Sequence, residues 1–147
     1  MNRKQFLEYV DHFNHKRFDK VASYFRRDVT LAYPDNFMGP QIAGLTGNTL
    51  HGPKEFIANY EALTANVREV LNVGAFISRG RQFCVELITE FHVFRTPPEG
   101  SPGNQWKEGD VYIMNQIVLY DLDEHGKFKH MRIFHHRYLD PSKAKNK

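Results

Sequence analysis

A chain of 147 residues, with 41% hydrophobic and 25% charged side chains, has the size and composition of one globular domain and excludes disorder, collagen and coiled coil as whole-chain readings. Lys and Arg number 20 against 17 Asp and Glu, but the surplus of three sits at Lys143, Lys145 and Lys147, so residues 1–140 are balanced and no basic face for nucleic acid is expected. The single cysteine, Cys84, excludes an internal disulfide, and no apolar run approaches the roughly 20 residues of a membrane span. Arg3 and Lys4 lead into Gln5, Phe6, Leu7 and Glu8, which is no signal-peptide core. The expectation is a cytoplasmic protein with one domain over 1–141 and a solvated basic tail over 142–147. Twelve Phe, seven Tyr and one Trp are enough to line an apolar cavity as well as fill a core.

In chain order, residues 3–14 predict a helix with Phe6, Leu7, Val10 and Phe13 on one stripe and Tyr9 at its edge. A second helix is predicted over 18–26, from Phe18, Val21, Ala22 and Phe25. A short strand over 29–33 is stopped by Pro34-Asp35. Residues 36–50 hold three glycines and a proline yet carry Phe37, Met38, Ile42, Leu45 and Leu50, which predicts a lid over a pocket or a subunit contact. Gly52-Pro53-Lys54-Glu55 starts a helix, with Gly at the N-cap, that runs to about 65 and turns Phe56, Ile57, Tyr60 and Leu63 inward.

Four long strands are predicted near 67–78, 81–95, 110–121 and 127–138, joined by a tight Arg79-Gly80 link, a long Pro- and Gly-rich tip and a turn ending at Gly126. The fold class is α+β: a curved, mixed or antiparallel sheet wrapped round three helices from the N-terminal half, leaving a cone-shaped interior. Alternation places Met131, Ile133, His135 and Arg137 on the inner face of the last strand, and Phe83, Val85, Leu87, Thr89, Phe91 and Val93 on that of the second long strand. In 110–121, Asn115 is the polar exception in a row of Val111, Ile113, Ile117 and Leu119. The opposite row, Tyr112, Met114, Gln116, Val118 and Tyr120, is apolar enough to predict a homodimer through the outer sheet face. The pattern of 67–78 does not choose a face.

This order of elements, with His51-Gly52-Pro53-Lys54-Glu55-Phe56-Ile57, Gly126-Lys127-Phe128 and Arg132-Ile133-Phe134-His135-His136-Arg137-Tyr138-Leu139-Asp140-Pro141, resembles the SnoaL-like proteins of the nuclear-transport-factor-2-like superfamily over roughly residues 3–141. The resemblance implies a cone-shaped α+β barrel, and functions from ketosteroid isomerase and polyketide cyclase to epoxide hydrolase and non-catalytic binding module. In ketosteroid isomerases a helix-1 Tyr five residues before an Asn is an oxyanion donor, which matches Tyr9 and Asn14 here. The isomerase base, an Asp before a Pro, is replaced by Tyr33. The second donor of those isomerases, a protonated Asp, is replaced by Asn115. The closing-strand Asp of epoxide hydrolases and cyclases is replaced by Arg137, and their Arg-x-Asp pair is absent around Phe91-His92-Val93.

The residues themselves offer these candidates. His135 is a candidate acid/base because an ordinary imidazole titrates near neutrality. His51, just before a helix start, is a candidate neutral base. Tyr9 and Asn115 are candidate donors to an enolate oxygen. Phe13, Tyr33, Phe37, Met38, Tyr60 and Phe91 are candidate substrate walls; Arg137 is a candidate anion contact or partner of Asp140, and Asp35 lies beside the lid. Each also has a plain structural alternative in core, cap or surface. No HExxH or Cys cluster, nucleophile elbow or phosphate loop is present, so neither metal nor cofactor is expected. The function predicted is proton transfer on a hydrophobic polycyclic ketone by isomerisation, cyclisation or dehydration. The alternatives are a non-catalytic binding or dimerisation module and a hydratase or epoxide hydrolase.

Overall fold

The computed structural model describes residues 1–33 and 49–146; of His135 and His136 it describes the backbone only. Helix α1 (Arg3–Asn14) opens with a reciprocal cap: Asn2 Oδ1 accepts from the Gln5 N–H, and Gln5 Oε1 accepts from the Asn2 N–H, both at 2.9 Å. Its buried stripe is Phe6, Tyr9, Val10 and Phe13, while Leu7 is 38% exposed. At 100° per residue, Leu7 stands farthest from the centre of that stripe, so Tyr9 takes the buried place expected for Leu7. Helix α2 (Phe18–Ala22) stops four residues short of the expected end, because Phe25 opens strand β1 (Phe25–Ala32). The spacing of Phe18, Val21 and Phe25 is helical in appearance, but Phe25 is buried as a strand residue.

Strand β2 (Thr49–His51) pairs antiparallel with β1 where the glycine-rich stretch gave no strand signal; the rest of the expected lid lies outside the described residues. Helix α3 (Gly52–Thr64) follows at once, with His51 rather than Gly52 as its N-cap; Gly52 has a φ of +75°. The long strands are β3 (Val67–Arg79), β4 (Gln82–Val93), β5 (Val111–Leu122) and β6 (Phe128–Leu139), each within two residues of expectation. With β1 and β2 they form a curved, unclosed sheet whose described strands, six in number, run in the order β2-β1-β6-β5-β4-β3. All neighbours are antiparallel except β1 and β6.

Helices α1 and α3 fill the concave side with a core of aromatic rings: Phe6, Phe13, Phe25, Phe56, Phe83 and Phe128 are all buried there. Helix α1 is anchored to the edge strand β3 by Asn14. Its amide donates to the Leu71 carbonyl at 3.0 Å and accepts the Leu71 N–H at 2.8 Å, as a neighbouring strand would. A second cluster, with Trp106 ring-stacked on Tyr112 and tilted on Phe91, ties down the long tip between β4 and β5.

Two expected strand faces are corrected. In β5 the inner row is Gln116, Val118 and Tyr120, so Asn115 lies on the convex outer face, where its Nδ2 donates to Glu86 Oε2 at 3.3 Å. In β6, Asn115 pairs with Arg137 and Gln116 with His135, so one extra residue is inserted between them. This bulge ends the alternation that runs inward through Met131 and Ile133, and it turns Arg137 out to solvent.

The tail is not simply solvated. After a 3-10 turn (Pro141–Lys143) it lies against the outer sheet face. There Glu90, 1% exposed, accepts the Lys145 N–H at 3.0 Å, the Asn146 N–H at 3.1 Å and the Asn146 side-chain amide at 2.8 Å. No described helix is long and apolar enough to cross a membrane.

Candidate active site

The concave side leaves a partly open space between α1, the end of β1, α3 and the inner rows of β3 to β6. Its walls are mostly apolar, from Phe13, Leu31, Phe56, Leu71, Leu87 and Ile133. The polar exceptions are four phenols, Tyr9, Tyr33, Tyr60 and Tyr120, and the amide of Gln116. The cavity holds about 50 Å³. An apolar cavity of about 150 Å³ takes up benzene, so the space that the described residues leave is smaller than that.

Local folding explains each position. Tyr9 follows Phe6 by three residues on the buried stripe of α1. Tyr60 follows Phe56 by four on α3, and its ring packs on Phe13, Phe18 and Phe56. Tyr33 shares the inward parity of Val29 and Leu31 at the end of β1. The Tyr33 and Tyr60 hydroxyls lie 2.8 Å apart, so one donates to the other and the acceptor keeps its own proton to give. Gln116 Oε1 accepts from the Thr89 hydroxyl at 2.8 Å, which fixes the amide in the wall.

Burial drives the electrostatics. It raises the pKa of Tyr9, Tyr33, Tyr60 and Tyr120 well above the ordinary phenol value, so all four hold their protons. They are donors in a low-dielectric space. Beside these walls, though not itself part of them, is a carboxyl that sequence reasoning missed. Glu69 pairs with Phe91 across the β3–β4 ladder and so shares the inner face with Leu71. Its Oε2 is buried with no hydrogen-bond partner, and burial raises its pKa to about 8. Its charge bears on Tyr33, Tyr60 and Tyr9. A signal for it exists in the sequence: Val67, Leu71 and Val73 share parity with Glu69, which makes it an acid in an apolar row.

The expected site residues divide accordingly. Tyr9, Phe13, Tyr33 and Tyr60 lie in the cavity wall. Phe91 is buried on the inner face but packs with Trp106, in the second cluster. His51 is at the surface, its Nδ1 3.7 Å from Glu55 Oε2, and not in the wall. Asn115 is on the outside by strand parity and Arg137 by the bulge. His135 has Gln116 as its backbone partner, but its side chain, like Asp35, Phe37 and Met38, lies outside the described residues. Among the described residues Glu69 is the one carboxylate with a buried, unpartnered oxygen, and Asp35, the acid that a hydrolase pair would need, lies outside them.

No family model and no curated protein matches the chain. Solved structures do. An NTF2-like protein of unknown function from Burkholderia pseudomallei matches with a TM-score of 0.70 and 18% identity, over 90% of this chain and 88% of its own. A candidate polyketide cyclase from Silicibacter sp. TM1040 matches with a TM-score of 0.69 and 17% identity, over 90% and 87%. A candidate ketosteroid isomerase from Kribbella flavida matches with a TM-score of 0.63 and 13% identity, over 98% and 84%.

Proposed function

We propose that this chain, which has the cone fold of the nuclear-transport-factor-2-like and SnoaL-like proteins, is a cofactor-free isomerase, cyclase or dehydratase that transfers protons next to a carbonyl. The observation that carries the reading is the Tyr33–Tyr60 hydroxyl pair, set in an apolar wall and within electrostatic reach of a carboxyl whose Oε2 is buried. Phenols that keep their protons stabilise charge developing on an enolate oxygen, and a dry site makes each donor worth more than in water. The substrate is a hydrophobic ketone. This partly open space of about 50 Å³ admits its carbonyl end, with the ring body beyond these walls.

The test is an absorbance titration with 2-naphthol and larger phenolic ring systems, which imitate an enolate. A red shift on binding that is lost in Tyr33→Phe and Tyr60→Phe supports the reading. Absence of any shift across the panel contradicts it. The filled cone favours one alternative, a non-catalytic module whose aromatic interior serves stability alone; turnover of any ketone excludes that.

A further inference from the structure

We propose that Glu69 is the catalytic base of the cone, an assignment that rests on the proton-transfer reading above. Three observations support it. First, the side chain is on the inner face of β3, two residues before Leu71, which lines the cavity. Second, Oε2 is buried and no described residue donates a hydrogen bond to it. A buried carboxylate oxygen normally finds donors, because leaving one bare costs about 1–3 kcal/mol or more. A Leu at this position would avoid that cost. Third, the ionisable groups that feel its charge include the phenols Tyr9 from α1, Tyr33 from the end of β1 and Tyr60 from α3. No cation of the described residues contributes to its pKa, which burial alone raises.

The arrangement separates two roles by environment. The phenols titrate far above the carboxyl, so a range of pH exists in which Glu69 is ionised while they remain donors. The Glu69 carboxylate takes a proton from the carbon next to the ligand carbonyl. The C–H electron pair moves into the new C=C bond, and the carbonyl oxygen becomes an enolate held by the Tyr33–Tyr60 pair. Glu69, now a carboxylic acid, returns its proton to the same carbon, giving exchange, or to a conjugated one, giving isomerisation. Atoms and charge balance without a further reactant. The acid in this chain therefore acts from β3, across the cone from Tyr33, where the resemblance places a base.

The experiment is α-proton exchange of 2-tetralone in D2O, followed by proton NMR, with 2-naphthol binding measured in parallel. The wild-type protein is expected to accelerate exchange with a rate that rises with pH through about 8. Glu69→Gln is expected to lose about 10²–10⁴-fold of that rate while binding 2-naphthol as tightly as the wild type, and Glu69→Asp to keep part of it. Equal exchange by wild type and Glu69→Gln overturns the assignment of the base and leaves the function standing. So does a wild type that binds 2-naphthol without exchanging 2-tetralone. A wild type that neither binds nor exchanges overturns the function itself, and the base with it.

Discussion

Glu69 and Glu90 stand on neighbouring strands of one sheet and on opposite faces of it, and they have opposite fates. Glu90 is buried whole, and Glu69 is half-buried with its Oε2 withdrawn from water. At Glu90 burial raises the pKa, but the Lys145 N–H, His92, and the side chain and N–H of Asn146 outweigh it and bring the carboxyl down to about 2. At Glu69 burial acts alone and the carboxyl rises to about 8. The difference is in the donors, not in the acid. A charge supplied with hydrogen bonds becomes a structural clasp, here holding the C-terminus against the sheet. A carboxyl denied them, as at Glu69, is the one we propose reacts.

The largest effect that separates the two acids is expected at Glu69. Replacing it by Gln removes proton transfer by about 10²–10⁴-fold, whereas Glu90→Gln leaves the exchange rate of 2-tetralone unchanged. The next effect is at the donors: Tyr33→Phe or Tyr60→Phe slows exchange by about 10²–10³-fold and leaves the pH midpoint at about 8. A chain ending at Ala144 tests the other acid. Without Lys145 and Asn146, the Glu90 carboxyl loses three of its hydrogen bonds. Its pKa is expected to rise from about 2, and the fold to lose about 1–3 kcal/mol near neutral pH, read from denaturant midpoints.

Stability should also follow pH in two opposite ways. Glu90 titrates below its unfolded value of 4.5, so its contribution is complete above that value and is lost as pH falls toward 2. Glu69 titrates above 4.5, so the folded state keeps a proton that the unfolded chain releases. Stability therefore declines as pH climbs from 4.5 to about 8 and is level beyond. Glu69→Gln abolishes that decline, and Glu90→Gln abolishes the acid-side loss. The smallest effect is at Asn115, which bonds Glu86 on the outer face: Asn115→Leu costs about 1 kcal/mol in stability and nothing in exchange.

What the sequence discloses depends on whether one face of an element is chemically distinct. Helix α1 and the four long strands have clear periods and clear turn signals, and they lie within two residues of their expected places. Strand β5 is apolar on both rows, because the C-terminal segment covers the outer face near Glu90. Parity then cannot say that Gln116 rather than Asn115 points inward. In β6 the inserted residue before Arg137 breaks a correct alternation, and a bulge leaves no mark in the residue pattern. In β3 the parity is legible through Val67, Leu71 and Val73. The register shift between Val73 and Phe76, where Gly74 lies against Glu86, blurs the strand as a whole and hides Glu69. Tyr33 stands where the resemblance places the base, which draws attention from an acid on another strand.

One titration tests the contrast between the two acids directly. Protein labelled with 13C at the glutamate carboxyls, followed by NMR from acid to alkaline pH, should show two outliers assignable by Glu69→Gln and Glu90→Gln. Glu69 is expected to titrate near 8 and Glu90 near 2. A Glu69 that titrates with the ordinary surface glutamates, near 4.5, would contradict its assignment as a donor-starved base.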